Sequence, residues 1–310
     1  MATILTILLP VFGLIAAGYG IAHTRLLSAE GARGIGNFVY YLAIPALLFR
    51  SLALGGVGAA GHGRIIAAYF LGAVIVFVLG MALGRWGFGV GLREQGVLAV
   101  NASFGNTVQM GVPLVLAAFG PAGLRPLTLI IALHAMVLLT LATVVIELGH
   151  GRGGIGGTLR AAAAALATNP IILAIVLGFL WSLPRWPLPA APAAFLDLLG
   201  AAASPCALFA LGAALSRFRL ASGLHESAAI VGLKLLLQPL LVWGLGHLFG
   251  LAPLDLAVAT LAAALPIGMN AFILAQRYEV YVARSASAVV LANLLSMLTL
   301  AAVIAIFAPR

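Results

Sequence analysis

Asn101-Ala-Ser-Phe-Gly-Asn-Thr-Val-Gln-Met-Gly-Val-Pro113 sets amide and hydroxyl side chains, two glycines and a proline inside an otherwise apolar stretch. Ala264-Leu-Pro-Ile-Gly-Met-Asn270 does the same in the second half of the chain. In hydrocarbon an unpaired backbone amide or carbonyl costs several kcal/mol, so a broken helix persists only where protein or a watery cavity covers the break. Paired breaks, one per half, are the pattern of a secondary carrier with its substrate site at mid-membrane.

The surrounding composition fits. The chain has 310 residues, 64% hydrophobic and only 7% charged, against about 25% charged in a soluble domain. At about 20 residues per crossing plus short connections, the length holds roughly nine to eleven spans and no sizeable extramembrane domain. Apolar runs between charged, Gly and Pro punctuation predict ten, at 2–22, 36–53, 64–83, 95–119, 124–146, 160–181, 192–215, 226–249, 254–276 and 284–307. The first lacks the basic region and cleavage site of a signal peptide and reads as a span. Cys206 is the sole cysteine, which excludes an intrachain disulfide. The net charge of +9 comes from scattered arginines, which points to topology and lipid contact rather than nucleic acid.

Those arginines predict orientation. Connections after odd-numbered spans hold Arg25 and Arg33, Arg85 and Arg93, Arg152 and Arg160, Arg217 and Arg219, Arg277 and Arg284. The other side holds Arg50, Arg64, Arg125, Arg185 and Arg310. Cytoplasmic loops are enriched in Lys and Arg, so both termini are expected on the non-cytoplasmic side of the cell (inner) membrane.

An internal repeat emerges from the same reading. Pro45-Ala-Leu-Leu-Phe49 resembles Pro205-Cys-Ala-Leu-Phe209, and Pro113 is matched by Pro266. Both place spans 1–5 over spans 6–10, and five is odd, so the copies must be inverted in the membrane. The expected organisation is a first repeat over 1–148, a short Gly-rich linker over 149–158, and a second repeat over 159–310.

A proline suits the first turn of a half-helix, where its missing N–H is not needed. Half-helices opening near Pro113 and Pro266 would each bring roughly +0.5 charge and free backbone donors to one central region, which favours a carboxylate. Asn101, Ser103, Asn106, Thr107, Gln109 and Asn270 are the candidate substrate-binding residues. Gly111, Pro113, Pro266 and Gly268 are the candidate crossover residues. The bland alternative is that the amides only satisfy freed backbone groups or glue helices together.

With Leu9-Pro-Val-Phe-Gly13, Asn37-Phe-Val-Tyr-Tyr41, Ser103-Phe-Gly-Asn-Thr107, Pro205-Cys-Ala-Leu-Phe209 and Pro266-Ile-Gly-Met-Asn270 in this order, the chain resembles the auxin efflux carrier family over nearly its whole length. Bacterial members of that family include malonate-type carriers. The resemblance implies an all-α polytopic fold of ten helices in two inverted five-helix repeats, similar to bile-acid and sodium/proton carriers. Helices 4 and 9 would cross at their prolines. Spans 1, 2, 6 and 7 would form a scaffold, and spans 3–5 and 8–10 a transport unit that moves by alternating access. It also implies organic-anion cargo and pairing as a homodimer. The chain departs from long-loop plant members in having almost no central hydrophilic loop, which leaves carriage of auxin itself open.

Asp197 and Lys234 are charges several residues inside predicted spans, and intramembrane charge is by default a functional candidate. Their bland readings are an interfacial carboxylate and a snorkelling lysine. His134 could relay protons or simply pack. Gly56-Val-Gly-Ala-Ala-Gly61 matches a dinucleotide fingerprint in letters only, without the strand that motif needs. No residues at metal-ligand spacing are found, and no metal or cofactor is expected. Few membrane acids exist to carry a coupling ion, so none, or a proton, is expected ahead of sodium. The competing readings are a channel or a transport-dead sensor on the same fold, with an intramembrane enzyme a distant third because no nucleophile, paired acid or metal cluster is found.

Overall fold

Every regular element among the described residues is helical, as a chain that must pair its backbone inside lipid requires. The computed structural model describes residues 2–24, 26–55, 62–150, 156, 157, 160, 164, 167–184, 186–218 and 223–307. Residues 56–61, with the dinucleotide-like letters, and most of the Gly-rich stretch over 149–158 lie outside them. Among the described residues, seven helices are long and apolar enough to cross a membrane: Leu5–Ala22, Ala29–Leu54, Gly63–Gly87, Pro121–Gly149, Ala190–Leu215, Leu224–Leu248 and Val282–Phe307.

In chain order the elements are α1 (Ala2–Ala22), α2 (Ala29–Phe38), α3 (Ile44–Gly55), α4 (His62–Ala82), α5 (Leu92–Ser103), α6 (Gly111–Phe119) and α7 (Leu124–His150). They continue as α8 (Pro170–Ser182), α9 (Ala190–Leu215), α10 (Leu224–Gly232), α11 (Gln238–Leu248), α12 (Pro253–Ala264), α13 (Met269–Tyr278) and α14 (Val282–Phe307). A π-turn over Val39–Ala43 joins α2 to α3, and another over Leu233–Leu237 joins α10 to α11. The second helix therefore starts at Ala29, ahead of the predicted residue 36. Ser28 caps it by accepting from the Gly31 N–H at 3.0 Å, and the first ten residues bury none of their side chains. An exposed, amphipathic start of this kind carries no apolar run to mark it.

Glycines decide which helices touch. At Gly18 on α1 the backbone meets the Phe209 carbonyl of α9, and at Gly212 on α9 it meets the Ile15 carbonyl of α1, with no room for a methyl at either place. At Gly178 on α8 a methyl would lie 2.8 Å from the Phe49 carbonyl of α3. Small residues let backbones approach because lipid offers no hydrophobic drive for helix association. Separately, α4 packs on α5, α5 on α7, α11 on both α4 and α12, and α10 and α13 on α14.

Candidate functional site

The fourth and ninth predicted spans are both broken. Twelve-residue helices α5 and α12 reach about 18 Å each, short of a hydrocarbon core of about 30 Å. After Ser103 the chain turns extended at Phe104, and after Ala264 it turns extended at Leu265. The second turn follows from Pro266, whose ring forces the residue before it out of the helical region. The two extended pieces run antiparallel and form one isolated bridge, Gly105 with Ile267. Asn106 N–H donates to the Pro266 carbonyl at 2.8 Å, and Gly268 N–H donates to the Phe104 carbonyl at 3.0 Å. Each break thus satisfies backbone groups freed by the other. A side chain at Gly268 would meet the Phe104 ring at 2.8 Å, and one at Gly111 would meet Leu265 at 2.8 Å.

Pairing at this crossing therefore runs through Phe104-Gly105-Asn106 and Pro266-Ile267-Gly268. Pro266 belongs to it, whereas Pro113 sits two residues into α6, where a proline is tolerated in the first turn. The first connector is the longer one, and residues 106–110 fold back on themselves. Thr107 N–H donates to the Gly105 carbonyl at 2.9 Å and Gly111 N–H to the Asn106 carbonyl at 3.0 Å.

The candidate side chains divide sharply. Asn101 is fully buried and spent internally, donating to its own helix at the Val97 carbonyl and accepting from Ser285 Oγ at 2.9 Å. Ser103 donates to the Ala99 carbonyl at 2.8 Å. Both match the bland reading. Thr107 is buried, Gln109 half-buried and Asn270 exposed in the first turn of α13. Asn106 is different. Its Oδ1 accepts from the Gln109 N–H at 3.2 Å, which fixes the amide, while its buried Nδ2 has no partner. The expected free donors at the start of α6 are also largely used, since Gly111, Val112 and Leu114 N–H groups donate to the carbonyls of Asn106, Val108 and Met110. What α6 offers an anion is its dipole and the Asn106 amide.

Asp197 and Lys234 do not meet. Asp197 pairs with Arg50 of α3 at 2.5 Å, on the wall of an open cavity of about 380 Å³ lined also by Leu47, Leu116, Gly200 and Ser204. Lys234, fully buried, donates to the Ala263 carbonyl at 2.5 Å. His134 lies against Phe104, with Nε2 within 3.2 Å of the Gly105 backbone and Nδ1 3.3 Å from the Tyr69 hydroxyl, so it bolts the crossing to α4 and α7.

The family model described as "Membrane transport protein" matches residues 3–155 and 158–304. The chain belongs to that family. A protein of Rhizobium meliloti named "Putative malonate transporter" is 29% identical over 303 residues, covering 96% of this chain and 94% of the relative. An "Uncharacterized transporter" of Methanothermobacter thermautotrophicus is 27% identical, covering 94% of each. "Auxin efflux carrier component 8" of Arabidopsis thaliana is 23% identical, covering 84% of each. The resemblance to auxin efflux carriers is therefore borne out, and the chain is a multi-pass membrane transporter rather than an enzyme.

In this transporter two polar features escaped sequence reasoning. Gln238, buried one turn beyond Lys234, donates from Nε2 to the Ser103 carbonyl at 3.0 Å. Its signal was a second polar residue four positions from an intramembrane lysine. Glu226 is buried at the start of α10, where the Tyr281 hydroxyl and Arg284 both bind it, the latter at 2.6 Å. Burial, and next the Glu226 carboxylate, hold the Tyr281 hydroxyl above the usual phenol range. Glu279 and Tyr281 both take positive φ in the turn between α13 and α14, a strained conformation this pairing holds in place. Arg93 adds a bond from α5 to the Tyr278 carbonyl at 3.3 Å.

Proposed function

We propose that the protein is a secondary carrier of small organic anions, mono- or dicarboxylates such as malonate or auxin-like acids, working by alternating access. The observation that carries this is the Asn106 amide, held in the crossing of two broken helices with its Nδ2 donor buried and unpartnered. A buried donor without a partner costs about 1–3 kcal/mol, and an anion oxygen would recover it. The N-termini of α6 and α13 each add roughly +0.5 charge.

The ten-helix, inverted-repeat organisation is part of the same proposal, with α5–α6 and α12–α13 as spans 4 and 9. Adding 162 to Gly105 gives Ile267, and the same shift turns the Asn106–Pro266 hydrogen bond into the Gly268–Phe104 one. Adding 160 carries Gly18 to Gly178 and Phe49 to Phe209, so the α1–α9 contact becomes the α8–α3 contact. These paired contacts support a scaffold of spans 1, 2, 6 and 7 and a moving unit of spans 3–5 and 8–10. Cytoplasmic placement of the arginine-rich side, both termini on the other face and pairing as a homodimer complete the proposal. The relative named for malonate supports a dicarboxylate as the first substrate to try.

The test is uptake of labelled malonate and of labelled monocarboxylates into liposomes. Saturable uptake that Asn106→Ala removes, with the protein still folded, is the expected result. Flux that rises without saturation would mark a channel, and binding without flux a sensor.

A further inference from the structure

The open cavity beside the Arg50–Asp197 pair lies apart from the hydrogen bonds of the crossing, and its walls come from both parts of the proposed carrier. On α9, Asp197, Gly200 and Ser204 share one face at helical spacing and line it over seven residues, about 10 Å of helix. On α3, Leu47 and Arg50 line it one turn apart. Its third wall is Leu116 of α6, the half-helix that leaves the crossing at Gly111 and packs on α9. Gly111 to Leu116 is five residues, about 8 Å. The cavity therefore stands beside the half-helix that follows the Asn106 turn. Its volume of about 380 Å³ falls within the range of about 300–1,000 Å³ that small-molecule sites occupy.

The ion pair leaves half of the arginine free. Asp197 Oδ1 lies 2.5 Å from Nε, and Oδ2 accepts from Nη2 at 2.9 Å, so the carboxylate takes one fork of the guanidinium. A guanidinium holds five N–H donors in a rigid plane. The second fork, formed by Nη1 with the outer hydrogen of Nη2, has no partner among the described residues. Such a fork matches a planar carboxylate in a way that an ammonium cannot. The two side chains keep 34% and 50% of their exposure, so an anion reaches the free fork without the cost of bringing charge into a dry interior.

The pair also sits on one face only. The shift of 160 that carries Pro45 to Pro205 carries Arg50 to Ala210, and the reverse shift carries Asp197 to Asn37. The matching place in the other half of the repeat is neutral.

We infer that the cavity holding Arg50 and Asp197 is a one-sided capture site for a carboxylate of the cargo, bound by the free fork of Arg50 while Asp197 fixes the guanidinium and offsets its charge. This deepens the carrier reading and rests on it. A lone guanidinium would hold the anion; one already paired lets it pass along α6 towards Asn106. Arg50 is thus a binding residue, and Asp197 a positioning residue that sets how readily the anion leaves.

Two measurements on the full-length protein test this: uptake of labelled malonate by right-side-out and by inverted membrane vesicles, and melting of the purified protein in detergent against malonate concentration. Arg50→Gln is expected to raise KM about fivefold, as for loss of a partly exposed charge contact. The change should appear in one vesicle orientation, right-side-out if the arginine-rich face is cytoplasmic, and be absent from the other. Arg50→Lys, which keeps the charge and loses the fork, should raise KM in the same orientation, and serves if the glutamine variant does not fold. Asp197→Asn should do the opposite, lowering KM and the maximal rate together. In melting, the malonate concentration giving half the shift should rise in Arg50→Gln and fall in Asp197→Asn. A pair that only staples α3 to α9 would lower the melting temperature in both variants and leave KM and the malonate response unchanged. That result, KM moving in the same direction in both variants, or equal changes in both vesicle orientations would each overturn the inference. A shift that depends on Arg50 with a short-chain anionic phospholipid but not with malonate would make the occupant a lipid headgroup and overturn it as well. If the native protein moves no anion, the carrier reading fails and melting alone decides the site; native melting indifferent to malonate would sink both.

Discussion

The two broken helices share one hydrogen-bond pattern and differ in what lies beside it. In the second half the chain passes from α12 to α13 through Leu265-Pro-Ile-Gly268 and nothing more. In the first half it takes Phe104 to Met110 to pass from α5 to α6. The shared part, two backbone bonds around Gly105 and Ile267, solves a problem both breaks have, the loss of helical partners in lipid. The extra residues of the first connector solve no such problem. They fold a small turn that holds one amide with its donor unspent. Symmetry here serves stability, and the departure from it is where chemistry can enter.

The largest effect should come from testing how equal the halves are away from the crossing. Gly18→Ala forces a methyl into the Phe209 carbonyl, whereas Gly178→Ala leaves 2.8 Å to the Phe49 carbonyl. Overpacking costs typically about 1–3 kcal/mol, so Gly18→Ala should reach or exceed the top of that range and Gly178→Ala the bottom, read from melting of the purified variants. Next, Asn106→Ala removes a donor that would meet a charged oxygen, a bond worth about 1.5–3 kcal/mol. Anion uptake should fall by about tenfold or more while melting changes little.

Within the crossing itself, Gly268→Ala meets a ring at 2.8 Å and the Gly105 carbonyl at 3.0 Å, while Gly105→Ala meets its nearest atom only at 3.3 Å. Gly268→Ala should therefore cost about 1–3 kcal/mol and Gly105→Ala clearly less. The smallest effect belongs to Ser285→Ala, which loses the bond to Asn101. Interhelical hydrogen bonds in membranes average about 0.6 kcal/mol, and uptake should be unchanged. A large uptake defect in Ser285→Ala would return Asn101 to the list of substrate ligands.

Much of this was legible in residue order. Pro266 dictates the extended Leu265 by sterics alone, and Gly with Asn before Pro113 marks the other break. Helix ends fell within a few residues of the apolar runs, apart from the capped start at Ala29 and the sixth run, predicted from residue 160, whose helix α8 starts at Pro170 behind the Asn169 cap. The direction of side chains was not legible. Asn101 and Ser103 carry the same letters as Asn106 would as a ligand, yet both turn back to carbonyls four residues earlier in their own helix. Such local bonding is a rotamer choice that spacing cannot reveal. Nor could the sequence tell that Lys234 would find a carbonyl rather than Asp197, because backbone partners carry no residue letter. For the same reason the residue letters did not show that backbone pairing between the two breaks would centre on Gly105 and Ile267, beside Pro266.

The buried Glu226 site has a consequence of its own. It laces the first turn of α10 to the turn ahead of α14, and Arg93 ties α5 to the last residue of α13. Four segments from opposite halves of the chain are thereby knotted at one rim, like staves under a hoop. Such a hoop resists parting any one stave from its neighbours, so these four segments are held together as a unit.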